Sequence, residues 1–240
     1  MPKHRLDSFL VEKELVESRA KAQALIMAGE VTVDGKEVTK AGTLVPEDAV
    51  ISIAEPPPFV GRGGLKLDYA LDQFQLDVLG KVAADIGAST GGFTDCLLKR
   101  GASRVYAIDV GYGQLDYRLR QDKRVVVMER VNARYPLTLP EKVDLATIDV
   151  SFISVEKIIP SVAQVLKPGG YLVVLIKPQF EAKREEVGKG GVIKQPSLHA
   201  LVMGRFIAWV VRQGFRLSGL VASPVLGASG NREFLILLRF

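Results

Sequence analysis

Asp85-Ile86-Gly87-Ala88-Ser89-Thr90-Gly91-Gly92-Phe93 decides the fold. The run follows an apolar, strand-like segment and opens a helix-like one. It therefore reads as a turn where small residues let the backbone approach a ligand and free N–H groups face it. A dinucleotide fingerprint wants glycine at positions one, three and six, whereas this run has it at one, five and six. Asp85 also opposes a pyrophosphate. A cofactor without phosphates that carries a sulfonium and an amino acid moiety, S-adenosylmethionine, tolerates that carboxylate. Asp109 ends the next strand, 22 residues after Gly87, where a carboxylate can accept ribose hydroxyl protons. The candidate cofactor contacts are Asp85, Gly87, Ser89, Thr90, Gly91, Gly92, Phe93, Asp109, Asn132 at the adenine edge, and Asp149. A tight turn without a ligand is the other reading of the run, and an ordinary loop amide that of Asn132.

Outward from this turn, apolar segments alternate with helical ones, the pattern of a mostly parallel sheet covered on both faces. Strands are expected at 82–85, 105–109, 125–128, 143–149, 171–177, 215–222 and 234–239, with helices at about 64–74, 91–99, 154–165 and 198–213. No helix fits between the last two strands, so they should pair antiparallel. A doubly wound sheet ending in such a hairpin is the architecture of many S-adenosylmethionine methyltransferases.

Upstream, the prolines at 56, 57 and 58 mark a stiff connector at 54–60. Residues 1–53 read as a separate small domain and 61–240 as the large one. In the small domain Leu6, Phe9 and Leu10 have helical spacing, and Ser18 can cap a second helix carrying Ala22, Leu25 and Ile26. Asp34-Gly35 between Val31-Thr32-Val33 and Lys36-Glu37-Val38 signals a hairpin, and a further strand follows at 49–53.

The 240 residues are 48% hydrophobic and 25% charged, globular proportions. The longest apolar runs are strand length, too short to span a bilayer. Acidic residues interrupt any signal-peptide segment, and one cysteine forms no internal disulfide, so a reducing cytoplasm is the expected location. Net charge is +5, but residues 1–60 carry −3 and residues 61–240 carry +8. RNA binding by the small domain must then depend on where its charges sit.

The candidate chemistry narrows by elimination. Asp149-Val150-Ser151-Phe152 lacks the Pro-Pro-Tyr pattern of amino-group methyltransferases. Cys96, on the helix after the glycine turn, reads as a small core residue, which disfavours cytosine C5 chemistry. His4 and His199 lie far apart and no cysteine pair exists, so no metal site is expected. What remains at the ligand edge of the sheet is Asp149, Lys177 and Glu233. A charge-crowded lysine can act as general base, fixed by carboxylates, and would suit removing a proton from a hydroxyl. Rim salt bridging is the alternative role for Lys177 and Glu233.

Family resemblance adds to this reading. Arg5-Leu6-Asp7-Ser8-Phe9-Leu10-Val11, Ser18-Arg19-Ala20-Lys21-Ala22 and Gly29-Glu30-Val31-Thr32-Val33-Asp34-Gly35 resemble an S4 RNA-binding domain. Gly61-Arg62-Gly63-Gly64-Leu65-Lys66-Leu67, the turn at 85–93, Ile148-Asp149-Val150-Ser151-Phe152, Ile176-Lys177-Pro178-Gln179-Phe180-Glu181 and Gly230-Asn231-Arg232-Glu233-Phe234 resemble the TlyA family, some members of which are labelled hemolysins. The resemblance implies an α/β fold, a Rossmann-like seven-stranded methyltransferase domain of FtsJ type preceded by a small α+β S4 domain. It implies 2′-O-methylation of cytidine in ribosomal RNA, with a catalytic tetrad at Lys66, Asp149, Lys177 and Glu233. Lys66 rests on the resemblance alone. The chain looks like the shorter members, which modify only the large subunit.

Candidate RNA contacts are Arg5, Arg19, Gln23, Lys36 and Lys40 in the small domain, with Arg62, Lys183, Arg184 and Lys189 in the large one. The basic loop from Lys183 to Lys194 reads as a substrate lid or as a disordered surface loop. No aromatic residue stands out as a stacking platform. Two other classes stay open: an RNA-binding or ribosome-assembly factor that keeps S-adenosylmethionine without catalysis, and a membrane-lytic protein.

Overall fold

The computed structural model describes residues 3–54, 57–188 and 190–240. Lys189 and two residues of the expected connector, Glu55 and Pro56, lie outside them. The chain divides between Pro57 and Pro58 into two compact units. Pro58, Phe59 and Val60, read above as linker, belong to the second: the Phe59 ring is buried in its core, and the Val60 N–H donates to Asp95 Oδ2 at 2.9 Å.

In the first unit, β1 (Lys3–Arg5) leads into α1 (Leu6–Glu12), followed by α2 (Arg19–Met27), β2 (Val31–Val33), β3 (Lys36–Glu37), β4 (Leu44–Pro46) and β5 (Ile51–Ile53). Ser18 caps α2 as expected, its Oγ accepting from the Lys21 N–H. Asp34 and Gly35 both take positive φ, the geometry that lets a two-residue turn follow strand twist. The sequence reading missed β1 and β4. Each has three residues, too few for a periodic signal, and they find each other across some forty residues, Lys3 opposite Pro46. Leu6, Phe9, Leu10, Ala22, Ile26, Val31 and Val45 close the core.

The second unit runs α3 (Arg62–Gln73), β6 (Val82–Ile86), α4 (Gly92–Lys99), β7 (Arg104–Ile108), α5 (Tyr117–Gln121), β8 (Val125–Met128), β9 (Val143–Ile148), α6 (Ile159–Ala163), β10 (Leu166–Ile176), α7 (Pro178–Glu181), α8 (Pro196–Arg212), β11 (Arg216–Ala222) and β12 (Phe234–Arg239). Its seven strands lie in the order β11-β12-β10-β9-β6-β7-β8. β6 to β10 are parallel neighbours, while β12 runs antiparallel to both β10 and β11. Side chains along a strand feed alternate faces: on β10, Leu172, Val174 and Ile176 enter one core and Val173 and Leu175 the other.

The helix expected at 154–165 is broken. Pro160 lacks the N–H that a continuous helix needs, so a 3-10 turn at Val155–Lys157 precedes a fresh start at Ile159. Strand β10 begins five residues earlier than expected, with an irregularity between Leu166 and Tyr171. The order of strands reverses between β6 and β9. Open sheets of this kind bind ligands in the crevice beyond the carboxyl ends of strands at such a switch point.

Candidate active site

Gly87 directly follows β6 at the switch point with φ +82°, a conformation costly for residues with a Cβ. A Cβ there would also lie 2.2 Å from the Asp149 carbonyl oxygen, so the two strand ends approach as closely as they do only because position 87 is glycine. The Asp149 N–H donates to the Ile86 carbonyl at 2.9 Å and completes the junction. A cleft of about 490 Å³ opens over it, lined among others by Gly87, Ser89, Asp109, Asn132, Asp149 and Phe152. Size and lining, largely apolar with a few convergent polar groups, suit a cofactor.

Of the ten expected cofactor contacts, Gly87, Ser89, Asp109, Asn132 and Asp149 line this cleft. Asp109 holds the turn from below: its Oδ2 accepts from the Ser89 N–H at 2.8 Å and its Oδ1 from the Gly111 N–H at 2.7 Å. Each oxygen keeps lone-pair capacity for a further donor. The other five do not line it. Asp85 is fully buried beneath the turn, accepting from Thr94 Oγ1 at 2.7 Å and Thr147 Oγ1 at 2.8 Å. Burial pushes its carboxyl up to about 6. Its place in the structure is that of a clamp between β6, α4 and β9. Gly91, Gly92 and Phe93 are buried where α4 meets α3; a Cβ on Gly92 would sit 3.0 Å from the Gly64 backbone nitrogen. Thr90 is exposed, and its carbonyl accepts from the Asp116 N–H.

Three further charged side chains, Lys66, Lys177 and Glu233, meet Asp149 at the same sheet edge. Because Ile176 of β10 stands opposite Phe234 of β12, Lys177 and Glu233 flank one rung of the ladder. Glu233 accepts from Lys66 Nζ of α3 at 2.6 Å, and both are almost removed from solvent, their side chains 2% and 10% exposed. Lys177 Nζ lies 2.6 Å from Asp149 Oδ1, with 12% and 22% exposure, and donates to Ser151 Oγ at 2.9 Å. The start of α3 lies beside the second pair, since a Cβ on Gly63 would be 3.8 Å from Asp149 Oδ2. Burying such charges costs several kcal/mol per ion unless each meets a counter-charge at close range. Two lysine–carboxylate pairs at one end of the sheet, one of them including Asp149 of the cleft lining, are therefore a costly arrangement of the kind that marks candidate functional sites.

Sequence reasoning passed over two residues here. Ser151 engages Lys177. Phe152 is 91% exposed on a left-handed backbone, φ +64°, with the Phe180 ring at 5.2 Å between centroids. A bulky residue at positive φ is an outlier, and such strain concentrates at ligand sites. Phe152 is an exposed ring in the lining of the cleft, at a place where the sequence showed no obvious stacking platform. The signal was present in Asp149-Val150-Ser151-Phe152, but exposure is not legible in a string. Cys96 is fully buried and its thiol is pushed up by burial, as a core residue should be. Among the described residues no cluster of His, Cys, Asp and Glu could hold a metal, and no helix is long and apolar enough to cross a membrane.

The RNA candidates divide sharply. In the first unit, Arg5, Arg19 and Gln23 all reach one buried carboxylate, Asp7, at 2.9 to 3.1 Å. The two guanidiniums stay about half exposed, 50% and 55%. Lys36 and Lys40 are exposed. In the second unit Arg62, Lys183 and Arg184 are exposed. The expected lid is anchored: Glu186, just after Arg184, accepts from Arg205 of α8 at 2.9 Å, and Asn231 Oδ1 accepts from the Ile193 N–H at 3.1 Å.

Comparison with known proteins places these features in a family. Residues 59–240 match the FtsJ-like methyltransferase family and residues 4–51 the S4 domain. YqxC of Bacillus subtilis, by name a candidate rRNA methyltransferase, is 48% identical over 99% of this chain and 86% of its own. The 16S/23S rRNA (cytidine-2′-O)-methyltransferase TlyA of Mycobacterium tuberculosis is 42% identical over 98% of this chain and 89% of its own. A solved Streptococcus thermophilus structure, titled a candidate hemolysin, superposes with a TM-score of 0.76 at 43% identity, covering 100% of this chain and 89% of that one.

Proposed function

Since the chain belongs to the FtsJ-like methyltransferase family and carries an S4 domain ahead of it in the TlyA pattern, we propose that it transfers a methyl group from S-adenosylmethionine to the ribose 2′-hydroxyl of a cytidine in ribosomal RNA. The observation that carries this reading is the pair of enclosed lysine–carboxylate contacts, Lys66–Glu233 and Lys177–Asp149, beside the cleft at the switch point.

Gly87 and Ser89 would let the cofactor approach the backbone, Asp109 would accept hydrogen bonds from its ribose hydroxyls, and Asn132 and Asp149 would hold its adenine and donor ends. When bound, S-adenosylmethionine supplies a methyl carbon open to in-line attack. Lys177, held between Asp149 and Ser151, first sheds one ammonium proton to solvent and then, as the free amine, receives the 2′-hydroxyl proton as that oxygen attacks. Lys66 and Glu233, locked to each other, hold the ribose side of the edge in place, so most of the acceleration is orientation and proton removal. Phe152 offers an exposed ring face on which a base turned out of its helix can stack. The half-exposed guanidiniums of Arg5 and Arg19, with Lys36, Lys40, Arg62, Lys183 and Arg184, supply contacts to the RNA backbone. Ribosomal RNA or a ribosomal subunit is the partner, and the cytoplasm the place of work.

Ribose methylation mapped on both ribosomal RNAs from cells with and without the protein tests the reading. One 2′-O-methylcytidine, expected in the large subunit, should vanish with the gene and return with the wild type but not with Lys177→Ala. A mark on a nucleobase, or no change in either RNA, overturns it.

A further inference from the structure

On the far side of β12 from Lys66 lies a second cavity, about 560 Å³, between the start of α8 and the last two strands. Lys194, His199, Arg232 and Phe234 line it, and no carboxylate does. Arg232 and Phe234 reach this cavity while Glu233 between them reaches Lys66, so it adjoins the catalytic edge without sharing its side chains. Neither Lys194 nor Arg232 has an ion-pair partner among the described residues. In the same unit Arg100, Arg104, Arg118, Arg120, Arg124 and Arg205 each hold a carboxylate. Other arginines and lysines aside, what marks this place is its shape and lining: two exposed cations face one concave cavity that no carboxylate lines, which points to an anion from outside the chain.

The frame around them is built rather than loose. Asn231, immediately before Arg232, accepts from the Ile193 N–H and donates from Nδ2 to the Gly191 carbonyl at 3.0 Å. Ile193 in turn precedes Lys194. The buried His199 sits with Nε2 3.1 Å from the Ile193 carbonyl and its ring edge-on to Phe234 at 5.8 Å, which fixes the cavity wall. Both cations thus project from backbone latched together by one asparagine and one histidine. Such preorganisation lowers the ordering cost of binding. Lysine and arginine on a rigid support suit the tetrahedral oxygens of a phosphate.

We propose that this cavity takes a backbone phosphate of the RNA strand flanking the nucleotide being methylated, held by Lys194 and Arg232. The inference rests on the reading of ribosomal RNA as substrate. It makes the edge of β12 two-sided, with the reacting ribose on the Glu233 side and the neighbouring phosphodiester on the other.

The test uses the full chain, S-adenosylmethionine and an unmethylated transcript of the ribosomal RNA, comparing wild type with Lys194→Gln, Arg232→Gln and the double variant. Lys123→Gln, on the exposed turn before β8, serves as the charge control. Each cavity variant should bind RNA roughly tenfold more weakly, and the double variant should flatten the log-affinity against log-salt slope by about one. Affinity for S-adenosylmethionine should stay unchanged, showing the variants fold. The inference fails if the double variant keeps the slope and affinity of the wild type or of Lys123→Gln. It also fails if inorganic phosphate raises the melting temperature of wild type over the double variant while RNA affinity is equal, since the cavity would then serve free phosphate. RNA that binds in the predicted way yet gains no ribose methyl would overturn the proposed activity and leave the phosphate site standing. A wild type that does not bind the transcript overturns both.

Discussion

The two units bury acidic side chains for opposite ends. In the small unit, Asp7 is completely enclosed and gathers Arg5, Arg19 and Gln23, yet the arginines remain half in solvent. In the large unit, Glu233 and Asp149 each take one lysine, and acid and base are withdrawn together. The first arrangement displays positive charge: a hidden carboxylate fixes guanidiniums that stay about half in solvent. The second confines charge, holding each lysine against one carboxylate with little of either side chain exposed. A net charge of −3 on residues 1–60 is compatible with RNA binding for this reason, because part of the acidity is turned inward.

The largest expected effect breaks the second arrangement. Lys177→Ala should lower the methylation rate by roughly 10²- to 10⁴-fold, the usual contribution of a positioned base, while RNA and S-adenosylmethionine binding persist. Single-turnover transfer with saturating RNA measures it, and a variant within twofold of wild type would reduce Lys177 to a rim ion pair. Next, Glu233→Gln strands the Lys66 ammonium in the interior and should cost about 3–5 kcal/mol of stability in urea unfolding. Adding Lys66→Met should restore most of the loss. Independent, additive losses would mean that the two do not act as a pair.

Asp85 supplies a third case, an acid buried with no cation at all. Its folded-state pKa, about 6, lies above the ordinary 3.8. The folded chain therefore binds the proton more tightly than the unfolded one. Its stabilising contribution is complete below pH 4 and declines as pH rises to about 6. Asp85→Asn should remove that slope and equal or exceed wild-type stability at neutral pH, by roughly 1 kcal/mol. Parallel curves for the two proteins between pH 4 and 6 contradict this assignment.

The smallest change sharpens the contrast. Asp7→Asn should weaken RNA binding about tenfold and speed amide exchange in α1 and α2, without altering S-adenosylmethionine affinity. The Asp7 carboxyl is held far below its usual range by Arg5 and Gln23 and then by Arg19, against the effect of burial. Its stabilising contribution is present above pH 4 and is lost as pH falls further, the reverse of Asp85. Equal exchange in variant and wild type at pH 7 would show that Asp7 orients nothing.

Much of this was legible from residue order. The turn at 85–93, Asp109, the strand-end set of Asp149, Lys177 and Glu233, and the Asp34-Gly35 hairpin are local signals, because each depends on neighbours a few positions away. The misses have equally local causes. Pro160 was overridden by the apolar pattern around it. β1 and β4 were too short to show a period, and Tyr117–Gln121 has barely more than one helical turn. Asp85 was read as facing a ligand because a sequence does not say which side of a turn a carboxylate takes.

The order of residues by itself determined the alternation of strands and helices, the glycine turn and the identity of the ionisable groups, since backbone propensity and hydrophobic period act over short separations. Only the tertiary structure decided who pairs with whom. Lys66 and Glu233 are 167 positions apart and meet at 2.6 Å because the antiparallel β12 returns to the edge where α3 begins. Lys177 faces Asp149 because β10 lies beside β9. Long-range pairing is a property of strand order, and burial, which separates a displayed arginine from an enclosed lysine, exists only once the sheet is closed over.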